Sequence, residues 1–524
     1  MPVQQTTEMM DEGKTLLLRR DMNKAVLPKN TGAIKTNILL AFLSKGYPDA
    51  GTPLHNKSFL SNEELLRKLE RQCNSIDFIV EDFTGPNANP ESLAWVLENQ
   101  KNDLDGIVLV GFGISFRDNR WISSGLPTLV VYNLFEFMHV PYEVFDYDTE
   151  TESVLRGRHP YQADKILTAE LDRNGACQPS VSLGMFDDFV YKIKLMQALK
   201  KVRQSKVLVL APQEALAEVD YRGDKDAYMP KDRNQTYSDE LKESLGVDLV
   251  IRPPSEFYKA YQDTNEKEAE NLSKTWIQQA HDVQASPSEI MKTARAYLAL
   301  EALRVTYDCN AVSTHLRKVR QASEIEHMFW PGLAIECGFK VHGIQATSKN
   351  YPNIVVSQLL AYFLTGRPSM LGDLIIDPAN SVTILTHCGA PVSPYGNDSL
   401  LPFSIKTHAE SPIRETTNVG SGTALHIEWP AGEPVTIWKV YVEHRKIGLY
   451  TAQTVNAHSV YPNGIENILC RTKLVAEVAD IQKLQNHYSP TEYGIHRTAT
   501  LGDLRTVLKD VGAFLGYTVI EEDR

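Results

Sequence analysis

The stretch 369-SMLGDLIIDPANSVTILTHCG-389 holds two apolar runs with Asp, Pro, Asn and Ser between them. Runs of this length and composition, bounded by turn residues, read as short buried strands. Asp373 is placed at the end of one strand; His387 and Cys388 close the other. An acid, an imidazole and a thiol at strand ends need a reason, because core strands otherwise carry apolar residues. Before this stretch, 353-NIVVSQLLAYFLTG-366 reads as an apolar helix stopped by a glycine C-cap at Gly366. After it, SVTILTH, TALHIEWP, EPVTIWKVYVEHRKIGLYTAQTV and NILCRTKLVAEVA read as short strands joined by turns, an antiparallel β domain. The chain then closes with a helix over 501–517.

The first half has a different texture. TNILLAFLS (36–44), IDFIVEDF (76–83), DGIVLVGFG (105–113), PTLVVYNLF (127–135) and YEVFDY (142–147) are apolar, β-rich runs. Helical patterns at 62–72 and 90–101 alternate with them. That rhythm predicts a doubly wound parallel sheet. A long amphipathic helix over 185–205 leads to a second series, with strands at KVLVLAP (206–212) and VDLVIRPPSEF (247–257). Helices follow over 263–283 and 286–308, the second opened by a capping box at Ser286 or Ser288. The expected layout is a polar N-terminal arm at 1–34, an α/β domain at 35–204, a second α/β domain at 205–370 and a β-rich domain at 371–524.

Composition bounds the function. The chain has 524 residues, 42% of them hydrophobic, enough for two to four cores since one core rarely exceeds about 250 residues. A net charge of -12 argues against nucleic-acid binding, which needs a basic face. The six cysteines are scattered, a reduced, cytoplasmic pattern and not a disulfide framework. No apolar run is long enough to suggest a signal peptide or a membrane span. The Gly-x-Gly in 111-GFGISF-116 lacks the third glycine of a dinucleotide fingerprint, and P-loop, HExxH and GxSxG motifs are absent. Any one of the scattered histidines is more often structural than a ligand, so only a coherent set carries weight.

A set is supplied by resemblance. The patches LTGRPSMLGDLIIDPANSVTILTHCG (364–389), GSGTALHIEWPAGEPVTIWKVYVEHRK and YGIHRTATLGDLRTVLKDVGAFLGY occur in the order in which the L-fucose isomerase and L-arabinose isomerase family carries similar ones. The resemblance is most specific over 310–517 and looser in the first half. It implies two α/β domains with an antiparallel β-rich third, in homotrimers or homohexamers with sites near subunit interfaces. It implies an aldose–ketose isomerase acting on a free monosaccharide through an enediolate. The family holds a divalent metal, usually manganese, with a Glu, an Asp and a His; such a metal grips sugar oxygens while carboxylates move the proton. Asp373 matches the metal Asp and His496 the metal His, and His387 matches a pocket position.

One position departs. The family's metal Glu falls on Lys349 here, and its acidic neighbour on Tyr351. No Asp or Glu occurs between Val341 and Phe363, and Glu336 lies upstream. An ammonium beside Asp373 can replace the metal's charge. Three readings follow: an isomerase with Asp373 and His496 on a metal; a metal-independent lyase, aldolase or glycoside hydrolase using Lys349, Asp373 and the histidines; or a non-catalytic sugar-binding protein. Lys349 is a general acid or Schiff-base candidate in the second. Trp330 is a candidate to stack on a sugar face, with Asn350 and Tyr351 lining the pocket. Arg117 and Arg120, after the first-half GFGISF turn, are candidates for polar substrate groups.

Overall fold

The computed structural model describes residues 35–43, 62–83, 90–110, 124–131, 180–182, 186–211, 231–314, 332–349, 352–396, 400–409, 422–462, 464–465, 469–488 and 494–524. The residues divide into two compact units, one of 30–201 with 508–519, the other including 202–507 with 520–524. The expected segment 205–370 and most of 371–524 therefore lie in one unit, while 508–519 are grouped with the other.

In the first unit, β1 (Thr36–Leu43), β2 (Ile76–Phe83), β3 (Gly106–Val110), β4 (Thr128–Val131) and β5 (Ser180–Ser182) form a parallel sheet of order β2-β1-β3-β4-β5. The interior strand β1 is almost wholly buried from Ile38 to Phe42. That explains its unbroken apolar run, since a parallel strand is covered on both faces. Arg117 and Arg120, the GFGISF turn, the 1–34 arm and YEVFDY lie outside the described residues.

The second unit holds β6 (Lys206–Leu210), β7 (Asp248–Arg252), β8 (Asp282–Val283), β9 (Ala311–Thr314) and β10 (Gln345–Thr347). Four of these make a parallel sheet, β10-β9-β6-β7. The helix Pro287–Thr306 packs against it, opened by Ser286, whose hydroxyl accepts from the Glu289 amide. The helix expected over 263–283 is shorter, Glu266–Gln279, because Asp282 and Val283 leave it as β8.

The β-rich part contains β11 (Met370–Asp377), β12 (Val382–His387), β13 (Phe403–Lys406), β14 (Ala424–Ile427), β15 (Pro434–Tyr441), β16 (Lys446–Val455), β17 (Thr472–Glu477), β18 (His496–Leu501) and β19 (Thr518–Glu521). The sheet order is β15-β18-β11-β12-β17-β16-β19, and β15 also pairs with β16. Six strands thus close on themselves into a barrel, a closure that period-2 patterning cannot reveal. β13 and β14 instead join β8 in a small separate sheet. The closing helix begins at Arg505, later than expected, because Leu501 is the last residue of β18.

Alternation sets the barrel's two faces. Met370, Leu374, Leu385, Val435, Ile437, Tyr450, Leu474, Ala476, Ala499 and Leu501 share one hydrophobic cluster, which fills the interior. The intervening residues face out. Leu371 meets Ile354 of the helix Pro352–Thr365, while Ile375, Val382, Ile384 and Val475 meet Val455 and Tyr461. Every residue of that helix is buried, consistent with its apolar composition all round.

Candidate functional site

The Leu-Thr-Gly-Arg segment that opens the family-like patch has a local structural reason. Gly366 ends the helix in the left-handed region, φ 72°. The Arg367 amide donates to Thr365 Oγ1 at 3.0 Å, and its Nη1 donates to the Leu501 carbonyl at 2.8 Å. The helix end is thereby tied to β18 just where β11 begins.

β11 lies between β18 and β12, and Asp373 is opposite His496 on one side and Thr386 on the other. Asp373 is not at a strand end, as the sequence suggests. The apolar run continues past it, so it sits midway along β11. The strand ends that meet there are those of its neighbours: His496 is the first residue of β18 and His387 the last of β12. Cys388 is half-buried, and its carbonyl accepts from the Leu425 amide at 2.9 Å.

His496 Nε2 lies 2.7 Å from Asp373 Oδ1; the imidazole is 2% exposed and the carboxylate 30%. Burial works to raise the Asp373 carboxyl. The His496 contact and the nearby His387 and Lys349 outweigh it and hold the carboxyl well below the usual carboxylate range. His387 is held down to about 3, first by burial and further by Lys349, His496 and Lys340, against the opposing pull of Asp373. It is therefore a neutral imidazole, and its Nε2 has no hydrogen-bond partner among the described residues.

Lys349 comes from the other sheet. It lies two residues past the end of β10, at the carboxyl edge of the parallel strands, where α/β proteins place ligands. Ser313 Oγ donates to its carbonyl at 3.0 Å, and its amide donates to Thr347 Oγ1 at 3.3 Å. Asp373, His387 and His496, from the adjacent strands β11, β12 and β18, and Lys349, from the α/β sheet, thus lie close enough to act on one another's charge. Trp330, Asn350 and Tyr351 lie outside the described residues.

Two further groups sit behind this cluster, and sequence reasoning did not place them there. Glu336 and Lys340 are buried and paired, with Nζ 3.0 Å from Oε1. Their signal was an i,i+4 acid and base inside the otherwise apolar run 333-LAIECGFKVHG-343.

The donor set does not fit a three-ligand manganese site. Asp373 and His496 supply two donors, and the Lys349 ammonium, whose charge acts on Asp373, competes with a cation for the same carboxylate. Among the described residues no group of three or more His, Cys, Asp or Glu side chains is arranged to hold a metal ion. No helix among them is long and apolar enough to cross a membrane.

No protein-family model matches the sequence, and no curated protein does. Among solved structures, the chain matches a solute-binding protein of an ABC transporter from Burkholderia multivorans, whose unknown ligand was built as α-D-erythrofuranose. The two are 12% identical, over 54% of this chain and 80% of that one, with a TM-score of 0.17.

Proposed function

We propose that this chain is a carbohydrate-active enzyme that interconverts an aldose and a ketose through an enediol, with side chains rather than a metal handling the charge. The observation that carries the reading is one carboxylate, Asp373, in contact with His496 at 2.7 Å and within electrostatic reach of His387 and Lys349. A carboxylate, a neutral imidazole and an ammonium in one cluster suit proton transfer beside a carbonyl.

The roles follow from charge. Lys349 donates to the sugar carbonyl oxygen and stabilises the negative charge that develops there. Asp373 takes the proton from the carbon next to that carbonyl and returns it to the former carbonyl carbon. His387, neutral and with a ring nitrogen available, moves the proton between the two oxygens. His496 orients the Asp373 carboxylate. A sugar oxygen that engages Lys349 also draws its charge away from Asp373, which makes the carboxylate a better base when substrate is bound. Assembly as a trimer or hexamer belongs to the same proposal, and sedimentation velocity reads it.

The test is solvent deuterium incorporation, followed by NMR, across a panel of free aldoses and ketoses in heavy water with EDTA. Label at the carbons flanking the carbonyl, lost in Asp373→Asn, is the expected result. Label that appears only after manganese is added restores the metal reading. No label in any sugar under either condition sinks the isomerase and leaves a sugar-binding protein.

A further inference from the structure

The proposed chemistry leaves the Glu336–Lys340 pair unused, yet it reaches the flanks of β11 and β12 and, through Ser369, β18. The segment Ala334–Phe339 is a π-helix, a form that concentrates at functional sites. It ends at Lys340, whose Nζ donates to Glu336 Oε1 at 3.0 Å and to the Ser369 carbonyl at 2.8 Å. Gln358 Nε2 donates to the same carbonyl at 3.3 Å. The Ser369 hydroxyl shares a 2.7 Å hydrogen bond with that of Thr500. Ser369 immediately precedes β11, which carries Asp373, and Thr500 lies on β18, which begins with His496. Glu336 reaches the third strand: a Cβ on Gly389 would stand 2.9 Å from its Cγ, and Gly389 lies two residues past His387.

We infer that the Lys340–Glu336 pair is a positioning element, a buried strut that fixes β11, β18 and the end of β12 relative to one another and so sets the geometry of Asp373, His496 and His387. Stability does not explain the pair. Burial pushes the Glu336 carboxyl up and the Lys340 ammonium down, each against the other's attraction. Glu336 Oε2 has no hydrogen-bond partner among the described residues. Apolar side chains of similar volume often replace such a pair at no cost or with a gain. They would fill the space but could not hold the Ser369 carbonyl, which the ammonium grips directionally.

The kinetic arm of the test rests on the isomerase reading; the spectroscopic arm does not. In Glu336→Leu/Lys340→Met the chain should fold with a melting temperature at or above that of the wild type. Its kcat should fall about a hundredfold while KM stays within about twofold, the signature of misplaced reacting groups. In 15N-histidine-labelled protein without substrate, the ring signals of His387 and His496 should shift. If the wild type converts no sugar, the isomerase reading fails while these signals still decide the strut. Wild-type kcat with unmoved ring signals overturns the strut, as does a kcat loss that merely tracks a falling melting temperature. Gly389→Ala, which crowds Glu336 without removing a charge, guards against a misfolded double variant. It should move the His387 signals in the same direction by less, and unmoved signals there also overturn the inference.

Discussion

Two neighbours on β18, His496 and Arg497, make ion contacts of nearly equal length and do opposite work. Alternation sends His496 to the outer face of the barrel and Arg497 to the inner. Arg497 Nη2 lies 2.6 Å from Glu522 Oε1, with side chains 0% and 1% exposed. The rings of Tyr441 and Tyr488 flank the guanidinium at 5.5 and 5.2 Å. Burial works to lower the Arg497 pKa, but the Glu522 charge and the tyrosines outweigh it and keep the group firmly charged. This is one cation and one anion sealed together, with no proton to move. On the outer face one carboxylate answers to three nitrogen-bearing side chains and is partly open to water. Contact length does not distinguish the sealed pair from the proposed proton-transfer cluster; the number of proton sites per charge and the access of water do.

The comparison breaks if the two faces respond alike to mutation. Asp373→Asn should cut turnover by about a thousandfold, the scale of a lost acid–base group. It should shift the unfolding midpoint less than Arg497→Met does. Arg497→Met should destabilise the chain by about 3–5 kcal/mol, because it leaves Glu522 as an uncompensated buried charge. Arg497→Met/Glu522→Leu should recover most of that loss, read from urea unfolding. A double variant as unstable as the single one would mean that the guanidinium's packing against Tyr441 and Tyr488, rather than its charge, holds the inner face.

Much of this was legible in the sequence, and the limits have physical causes. The uninterrupted apolar runs of β1 and β3 marked a parallel sheet because strands buried on both faces carry no polar alternation. The helix Pro352–Thr365 and its stop at Gly366 were plain for the same reason, combined with glycine's access to positive φ. Barrel closure was not legible, since the β15–β16 pairing depends on accumulated twist and register rather than on residue type. Asp373 stood out in the sequence as a candidate but was misplaced along its strand, because an acid in an apolar run looks like a boundary. His496 could be joined to it only through the order of patches, as the two lie far apart in sequence and meet through the β11–β18 register. Lys340 was not read as a site group: its i,i+4 spacing from Glu336 in an apolar run was the one hint, and spacing alone does not show that a lysine is buried.

The smallest effect sharpens the comparison most, because it isolates one proton. Folding holds His387 down to about 3, whereas an unfolded histidine titrates near 6.5. Below about 6.5 the unfolded chain therefore binds a proton that the folded chain refuses, and stability falls as pH falls, by up to about 1.4 kcal/mol per pH unit. The fall continues until the folded imidazole itself protonates. Above the unfolded value this group contributes no pH dependence. Asp373 acts in a separate, more acid window: its carboxyl is depressed in the folded state, so its contribution is complete above the unfolded carboxylate pKa and is lost only as pH drops below it. The Arg497–Glu522 pair adds nothing between pH 5 and 7 that would differ between the two proteins compared next. Urea unfolding of wild type and His387→Gln from pH 7 to 5 should give curves that converge, with a difference that changes by about 2 kcal/mol across the interval. Parallel curves would mean that His387 gains its proton at an ordinary pH inside the fold. The cluster would then be a second sealed charge site, no different in kind from the one on the inner face.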